Sequence, residues 1–156
     1  MAKVIGLIQV KGGVGRSTLA TNLAGELAGR GRVLLIDCDM PQGTSASWVA
    51  MREAGDVTPA TAGNPKDLLR EIQRGKTNHN FIVLDGPPRI AELTRAIMLL
   101  SDLALIPIGA SAAEVWATSD MLPIIEEARA VKHDLNVRTV WVRYREYPRA
   151  AKEISR

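Results

Sequence analysis

The stretch QVKGGVGRST, residues 9–18, places three glycines within four positions between two segments of opposite character. Before it, residues 3–10 are apolar and rich in β-branched side chains, which predicts a strand. After it, residues 17–29 repeat leucine and alanine at helical spacing. A glycine-rich turn between a strand and a helix directs backbone N–H groups and the positive helix end at an anion. We therefore predict that this glycine loop, residues 9–18, binds phosphate.

The remaining sequence alternates predicted strands and helices. Asn64 and Pro65 predict the start of one helix, and Ser111 with Glu114 forms a capping box that starts another, which we expect to bend near Pro123. This alternation predicts an α/β fold with a mostly parallel twisted sheet and helices on both faces. Further strands are predicted at 33–36, 56–60, 81–84, 103–108 and 137–142, and helices at 45–54, from 64, at 90–100, 111–131 and 148–155.

Length and composition limit the class of protein. With 156 residues we expect a single domain spanning 1–156. The chain has one cysteine, which excludes an internal disulfide and favours a cytoplasmic location. No apolar run approaches the ~18 residues of a membrane span, and we expect no membrane attachment.

The net charge of +3 is unevenly distributed along the chain. Residues 138–156 contain six basic and two acidic residues, whereas the other residues are slightly acidic in total. One interpretation is a solvated terminal helix. The other is a surface for an anionic partner such as the DNA backbone.

The glycine loop departs from the general phosphate-loop pattern G-x-x-x-x-G-K-[ST]. That pattern requires glycine at position 10 and lysine at position 16, where this sequence has Val10 and Arg16. Arginine keeps the positive charge but is a planar fork that needs more room than lysine. Because phosphoryl transfer depends on positioning, we expect Arg16 to impair hydrolysis more than binding. A purely structural glycine turn is the alternative, but it would not need Ser17 and Thr18 beside it.

Carboxylates follow two other predicted strands. Asp37 and Asp39 come after the second strand, and Asp85 ends the strand FIVL. Because the carboxyl ends of parallel strands share one edge of a sheet, these residues and the glycine loop should converge. Asp85 could hold Mg²⁺ or cap the next helix, and the aspartate pair could form turns or serve hydrolysis.

Lys11–Thr18 resembles the deviant Walker A box K-G-G-x-x-G-K-[ST]-T of the ParA/MinD ATPases. The aspartate-rich stretch DCDMPQG and the stretch FIVLDGPP extend the resemblance to about residue 142. The partition-type members are the nearer match, because Pro41, Gln42 and Gly43 follow the aspartates. The resemblance implies a P-loop NTPase-like fold that is shortened at its C-terminal end.

The resemblance also implies roles for single residues. Lys11 would reach the phosphates of the other subunit's nucleotide, and the resemblance implies catalytic roles for Lys11, Arg16 and Asp39, although Met40 interrupts the family's D-x-D-P-Q pattern. Ser17, Asp39 and Asp85 would serve the metal. The residues that would bind the nucleotide are Lys11, Gly12, Gly13, Val14, Gly15, Arg16, Ser17 and Thr18.

The function implied is that of a slow ATPase that uses ATP/ADP and Mg²⁺. ATP would drive a homodimer that binds double-stranded DNA non-specifically on the bacterial nucleoid, and an adaptor protein would stimulate hydrolysis. The cargo would be a plasmid, a chromosome region or a protein body. A nucleotide-binding scaffold with little hydrolysis and a metabolic or redox relative are the alternatives. The candidates for DNA contact are Arg143, Arg145, Arg149 and Lys152.

Overall fold

The computed structural model describes residues 1–40 and 42–143. Pro41 and the predicted helix at 148–155 lie outside these ranges. The strands are β1 Lys3–Leu7, β2 Val33–Asp37, β3 Val57–Thr61, β4 Phe81–Asp85, β5 Leu103–Gly109 and β6 Val137–Val142. The helices are α1 Arg16–Ala28, α2 Thr44–Met51, α3 Pro65–Asn78, α4 Ala91–Leu100, α5 Ala112–Thr118 and α6 Met121–Val131.

The six strands form one parallel sheet in the order β3-β2-β4-β1-β5-β6. The central trio β2, β4 and β1 places the three predicted site segments side by side. Beyond the strands, the N–H of Cys38 donates to the carbonyl of Asp85 over 2.9 Å. The N–H of Gly86 likewise donates to the carbonyl of Leu7 over 2.9 Å. The predicted convergence of the three strand ends is therefore confirmed.

Apolar side chains cover both faces of the sheet. In β2, Val33 and Leu35 pack in the cluster that contains α1 and α2. Leu34 and Ile36 point the other way and pack with α3, α4 and α6. This alternation explains why β2 is apolar throughout, since both of its faces are buried. The predicted α/β architecture with helices on both faces is confirmed.

The helix starts follow the predicted caps, with one correction. The Asn64 side chain accepts the N–H of Asp67 over 2.9 Å, with Pro65 as the first helical residue. The Ser111 hydroxyl accepts the N–H of Glu114 over 3.2 Å. The predicted single bent helix at 111–131 is wrong, because α5 ends at Thr118 and α6 begins at Met121. Pro123 lies in the first turn of α6, where its missing N–H breaks no helical hydrogen bond.

The ends of two strands also differ from the prediction. β1 ends at Leu7, so that the chain leaves the sheet before the glycine loop. β5 ends at Gly109, one residue later than predicted, and Pro107 within it pairs in register with Val140 of β6. No helix in the described ranges combines the length and the apolar character needed to cross a membrane.

Candidate functional site

The glycine loop forms a backbone cradle at the start of α1. Gly13 and Gly15 have φ angles of 72° and 88°, in the left-handed region that disfavours other residues. Gly15 is the N-cap of α1, and no side chain caps this helix end. The first N–H groups of α1 therefore stay available to an anion, as the sequence predicted.

Arg16 turns its guanidinium toward backbone carbonyls. Its Nε donates to the carbonyl of Gly86 over 2.8 Å, and one terminal nitrogen donates to the carbonyls of Gln9 and, over 2.8 Å, Lys11. The residue is only 6% exposed. Burial lowers the pKa of the guanidinium, and the charge of Asp85 opposes this effect. Arg16 thus connects the glycine loop to the end of β4.

Only glycine fits at position 86. A Cβ there would lie 2.5 Å from the backbone oxygen of Leu7, so any side chain would push β4 away from β1. This close approach puts the carbonyl of Gly86 within reach of Arg16 and fixes Asp85, the preceding residue, against the loop. The strand end FIVLDG therefore positions both the carboxylate and its cationic neighbour.

The Asp85 carboxylate is buried without a hydrogen-bond partner in the described part of the chain. Both of its oxygens and the Ser45 hydroxyl lack one, and both residues are 0% exposed. Burial raises the pKa of Asp85 to about 6, although the Ser17 and Ser45 hydroxyls, which lie near the carboxylate without reaching hydrogen-bond geometry, favour its charged form. The alternative role as a helix cap is wrong, because the N-cap of α4 is Ile90 and receives no side-chain hydrogen bond.

Asp37 is also buried, but its two oxygens are satisfied. Oδ1 accepts the N–H of Asp39 and Oδ2 accepts the N–H of Ala46, each over 3.0 Å. Asp37 therefore forms the turn after β2, which is one of the two roles that the sequence left open, and it also accepts an N–H from the first turn of α2, whose N-cap is Gly43. Asp39 is half-buried, and its charge opposes the lowering of the Arg16 pKa. Its predicted part in hydrolysis remains a prediction.

The donor atoms near Asp85 fit Mg²⁺. Hard divalent cations bind oxygen ligands, and this region offers the Asp85 carboxylate with the Ser17 and Ser45 hydroxyls. Sequence reasoning missed Ser45, since a serine near the start of a helix usually indicates a cap. Within the described ranges no three His, Cys, Asp or Glu side chains are grouped for a metal. A cation here would therefore rely on hydroxyls, substrate or water as well.

A cavity of about 690 Å³ adjoins the cradle. Gly13, Thr18 and Asn22 line one side, and Val142 with Arg143 lines the other. This volume is typical of small-ligand sites. The Arg143 guanidinium donates to the carbonyl of Gly13 over 3.2 Å and also pairs with Glu114. The other predicted DNA contacts, Arg145, Arg149 and Lys152, lie outside the described residues.

Comparison with known proteins identifies the family. An AAA domain family model matches residues 2–57. The maintenance of carboxysome distribution protein A of Halothiobacillus neapolitanus is 33% identical over 142 residues, and the match covers 89% of this chain and 65% of that protein. The sporulation initiation inhibitor protein Soj of Bacillus subtilis is 30% identical, with 87% and 68% covered. The chain belongs to the ParA/MinD family of P-loop ATPases. It spans less than two thirds of the length of the carboxysome protein.

Solved structures agree on the fold of this ParA/MinD-family chain. Cobyrinic acid a,c-diamide synthase of Mycobacterium smegmatis, with bound ADP and magnesium, superimposes with a TM-score of 0.79 at 17% identity. The alignment covers 99% of this chain and 80% of the synthase. Because that protein is a synthase, the shared fold does not by itself decide the function.

The predicted residues of the P-loop are divided between two cavities. Gly13, Val14, Gly15 and Thr18 line the large cavity beside α1. Lys11 and Gly12 line a second cavity of about 370 Å³ instead. Lys11, which the resemblance predicts to be the signature lysine, therefore lines the second cavity and not the larger one.

Proposed function

We propose that this chain is a ParA-type ATPase that binds ATP with Mg²⁺ at the glycine loop. The observation that carries the proposal is the Asp85 carboxylate, which is buried beside Ser17 with neither oxygen hydrogen-bonded in the described chain. Leaving such a group unpaired is expensive for a fold, and it is explained by a cation that arrives with the substrate.

Different groups of the chain would bind the phosphates, the nucleoside and the metal ion. The N–H groups of the glycine loop and of the first turn of α1 receive the phosphates, and Thr18 lines the cavity that would hold the nucleoside. Ser17, Ser45 and Asp85 would hold Mg²⁺, and Asp39 would orient the attacking water or support the metal shell. Bound Mg²⁺ would neutralise charge on the phosphate oxygens.

Hydrolysis is proposed to be slow because of Arg16. Its guanidinium donates to three backbone carbonyls, so the charge sits behind the loop instead of at the transferring phosphoryl group. Binding does not depend on that charge alone, because the backbone cradle and Lys11 remain. The same contacts favour the second candidate function, a nucleotide-binding scaffold with little hydrolysis.

Beyond the nucleotide site, we propose the switch cycle of the partition-type members. ATP drives a homodimer, the dimer binds double-stranded DNA non-specifically, and an adaptor protein stimulates hydrolysis. The chain then acts in the bacterial cytoplasm, on the nucleoid when ATP is bound. The names of the relatives support this proposal, since one maintains carboxysome distribution. The proposed DNA contacts are Arg143, Arg145, Arg149 and Lys152.

Substitution of Arg16 tests the proposal. We expect the natural protein to bind Mg²⁺-ATP and turn it over slowly, and Arg16→Lys to raise turnover by about tenfold or more with little change in affinity. Equilibrium binding and phosphate release measure the two quantities. The control is Arg32→Lys, an exposed arginine at the opposite edge of the sheet.

Three outcomes are decisive. No binding of Mg²⁺-ATP by the natural protein would refute the nucleotide site. Binding with no turnover in either protein, with DNA and adaptor present, would favour the scaffold. Equal, measurable turnover in both proteins would show that Arg16 does not limit hydrolysis.

A further inference from the structure

The second cavity, of about 370 Å³, adjoins the start of the glycine loop and has no assigned ligand. Val10, Lys11 and Gly12 form one wall, and Arg89, Ala117 and Asp120 form the rest. It shares no lining residue with the cavity beside α1. A ligand in it would therefore contact residues of the loop other than those that line the larger cavity.

The charges around this cavity are not neutralised within the described chain. Lys11, Arg89 and Asp120 form no ion pair within 4.0 Å and no side-chain hydrogen bond there, whereas Arg52, Arg95 and Arg143 each pair with a carboxylate. Among the lining residues two cations face one carboxylate, and the carboxylate of Glu114, which the charge of Lys11 also reaches, is already paired with Arg143, so a positive excess remains. A concave site with such an excess attracts anions.

The backbone holds Arg89 in place. Its φ angle is 58°, in the left-handed region that non-glycine residues seldom adopt, and its N–H donates to the carbonyl of Val10 over 3.0 Å. Arg143 shares this conformation and lines the other cavity. Strained residues that persist beside a cavity point to a role in binding, because the surrounding structure must stabilise them.

We propose that Arg89 acts with Lys11 to bind the phosphate groups of a nucleotide held by a second copy of this chain. The inference rests on the ATP-driven homodimer of the proposed function. Exposed apolar side chains beside the cavity favour a protein surface over a free anion. Ile90 is 44% exposed and Trp116 is 76% exposed, and each is the chain neighbour of a lining residue.

The cavity also assigns a role to Asp120. Asp120 lines the same cavity as the two cations, and its negative charge would oppose an incoming phosphate. Asp120 is the N-cap of α6 but makes no capping hydrogen bond through its side chain. Removing this charge should therefore strengthen the contact with the second copy without loosening the helix.

The test compares variants of the full chain in ATP binding and in ATP-dependent dimerisation. Arg89→Asn removes the charge, and asparagine tolerates the left-handed backbone. Arg89→Lys keeps the charge, and Arg32→Asn is the matched control at the opposite edge of the sheet. Sedimentation with Mg²⁺ and a non-hydrolysable ATP analogue gives the dimer dissociation constant.

We expect Arg89→Asn to bind the nucleotide as the natural protein does but to raise the dimer dissociation constant about tenfold or more. Arg89→Lys should keep most of the dimer, Asp120→Asn should tighten it, and Arg32→Asn should change nothing.

A natural protein that binds ATP but stays monomeric would overturn the proposed dimer and this inference together. If the natural protein dimerises and Arg89→Asn dimerises with the same dissociation constant, only the inference is overturned. Dimerisation unchanged in Arg89→Asn but DNA binding weakened would mean that the phosphates belong to DNA, which also contradicts it.

Discussion

Asp37 and Asp85 are the same residue type, lie opposite each other on neighbouring strands and are both 0% exposed, yet their surroundings differ. Asp37 accepts two backbone N–H groups, from Asp39 and Ala46. Asp85 accepts no hydrogen bond from the described residues. The first carboxylate stabilises the fold, whereas the second is kept available at a cost in stability. Two identical residues at the ends of neighbouring strands can thus have different roles, one structural and one functional.

Replacing Asp37 should have the largest effect. Asp37→Ala removes a buried acceptor of two charge-assisted hydrogen bonds and leaves two half-buried N–H groups without a partner, so we expect the free energy of unfolding to fall by about 3–5 kcal/mol. Urea denaturation measures this, with the exposed Asp134→Ala as control. A loss below about 1 kcal/mol would remove the contrast with Asp85, because hydrogen bonds of this kind are worth more.

Replacing Asp85 should stabilise the ligand-free protein in a pH-dependent way. Its pKa rises from 3.8 to about 6 on folding, so the folded state keeps a proton that the unfolded state releases between these values. The natural protein therefore loses stability as the pH rises through this window, by about 3 kcal/mol in total.

Asp85→Asn has no carboxyl group to titrate, so its stability should not fall in this pH window. It should be more stable than the natural protein by up to about 3 kcal/mol at pH 8 and no more stable below pH 4, by urea denaturation at each pH. Mg²⁺ should no longer tighten its binding of ATP. A variant that is less stable at pH 8, or a difference that does not change with pH, would show that Asp85 has a structural partner after all.

Replacing Ser45 should have the smallest effect on stability. Its buried hydroxyl makes no hydrogen bond in the described chain, so Ser45→Ala should change the free energy of unfolding by less than about 1 kcal/mol. The Mg²⁺ dependence of ATP binding should nevertheless weaken severalfold. Ser47→Ala, on the exposed side of α2, is the matched control. Equal Mg²⁺ dependence in both variants would exclude Ser45 from the metal site.

Much of the site could be predicted from local patterns. The apolar strand, the glycines and the helical repeat predicted the phosphate cradle, because each depends on the conformational preferences of neighbouring residues. The strand-end aspartates followed from the rule that parallel strands share one carboxyl edge. The break between α5 and α6 was missed, because Pro123 suits both a bend and a helix start.

The sequence by itself determined the α/β architecture, the position of the glycine loop and the group of carboxylates at the sheet edge. Only the tertiary structure decided that Arg16 faces carbonyls, that Asp85 is unpaired while Asp37 is bonded, and that Lys11 and Arg89 share a cavity. Conformational propensities depend on residues that are close together in the chain, so a sequence pattern is enough to predict their effect. Hydrogen bonds such as that from Arg16 to Gly86 join distant segments, and they exist only after the sheet has brought those segments together.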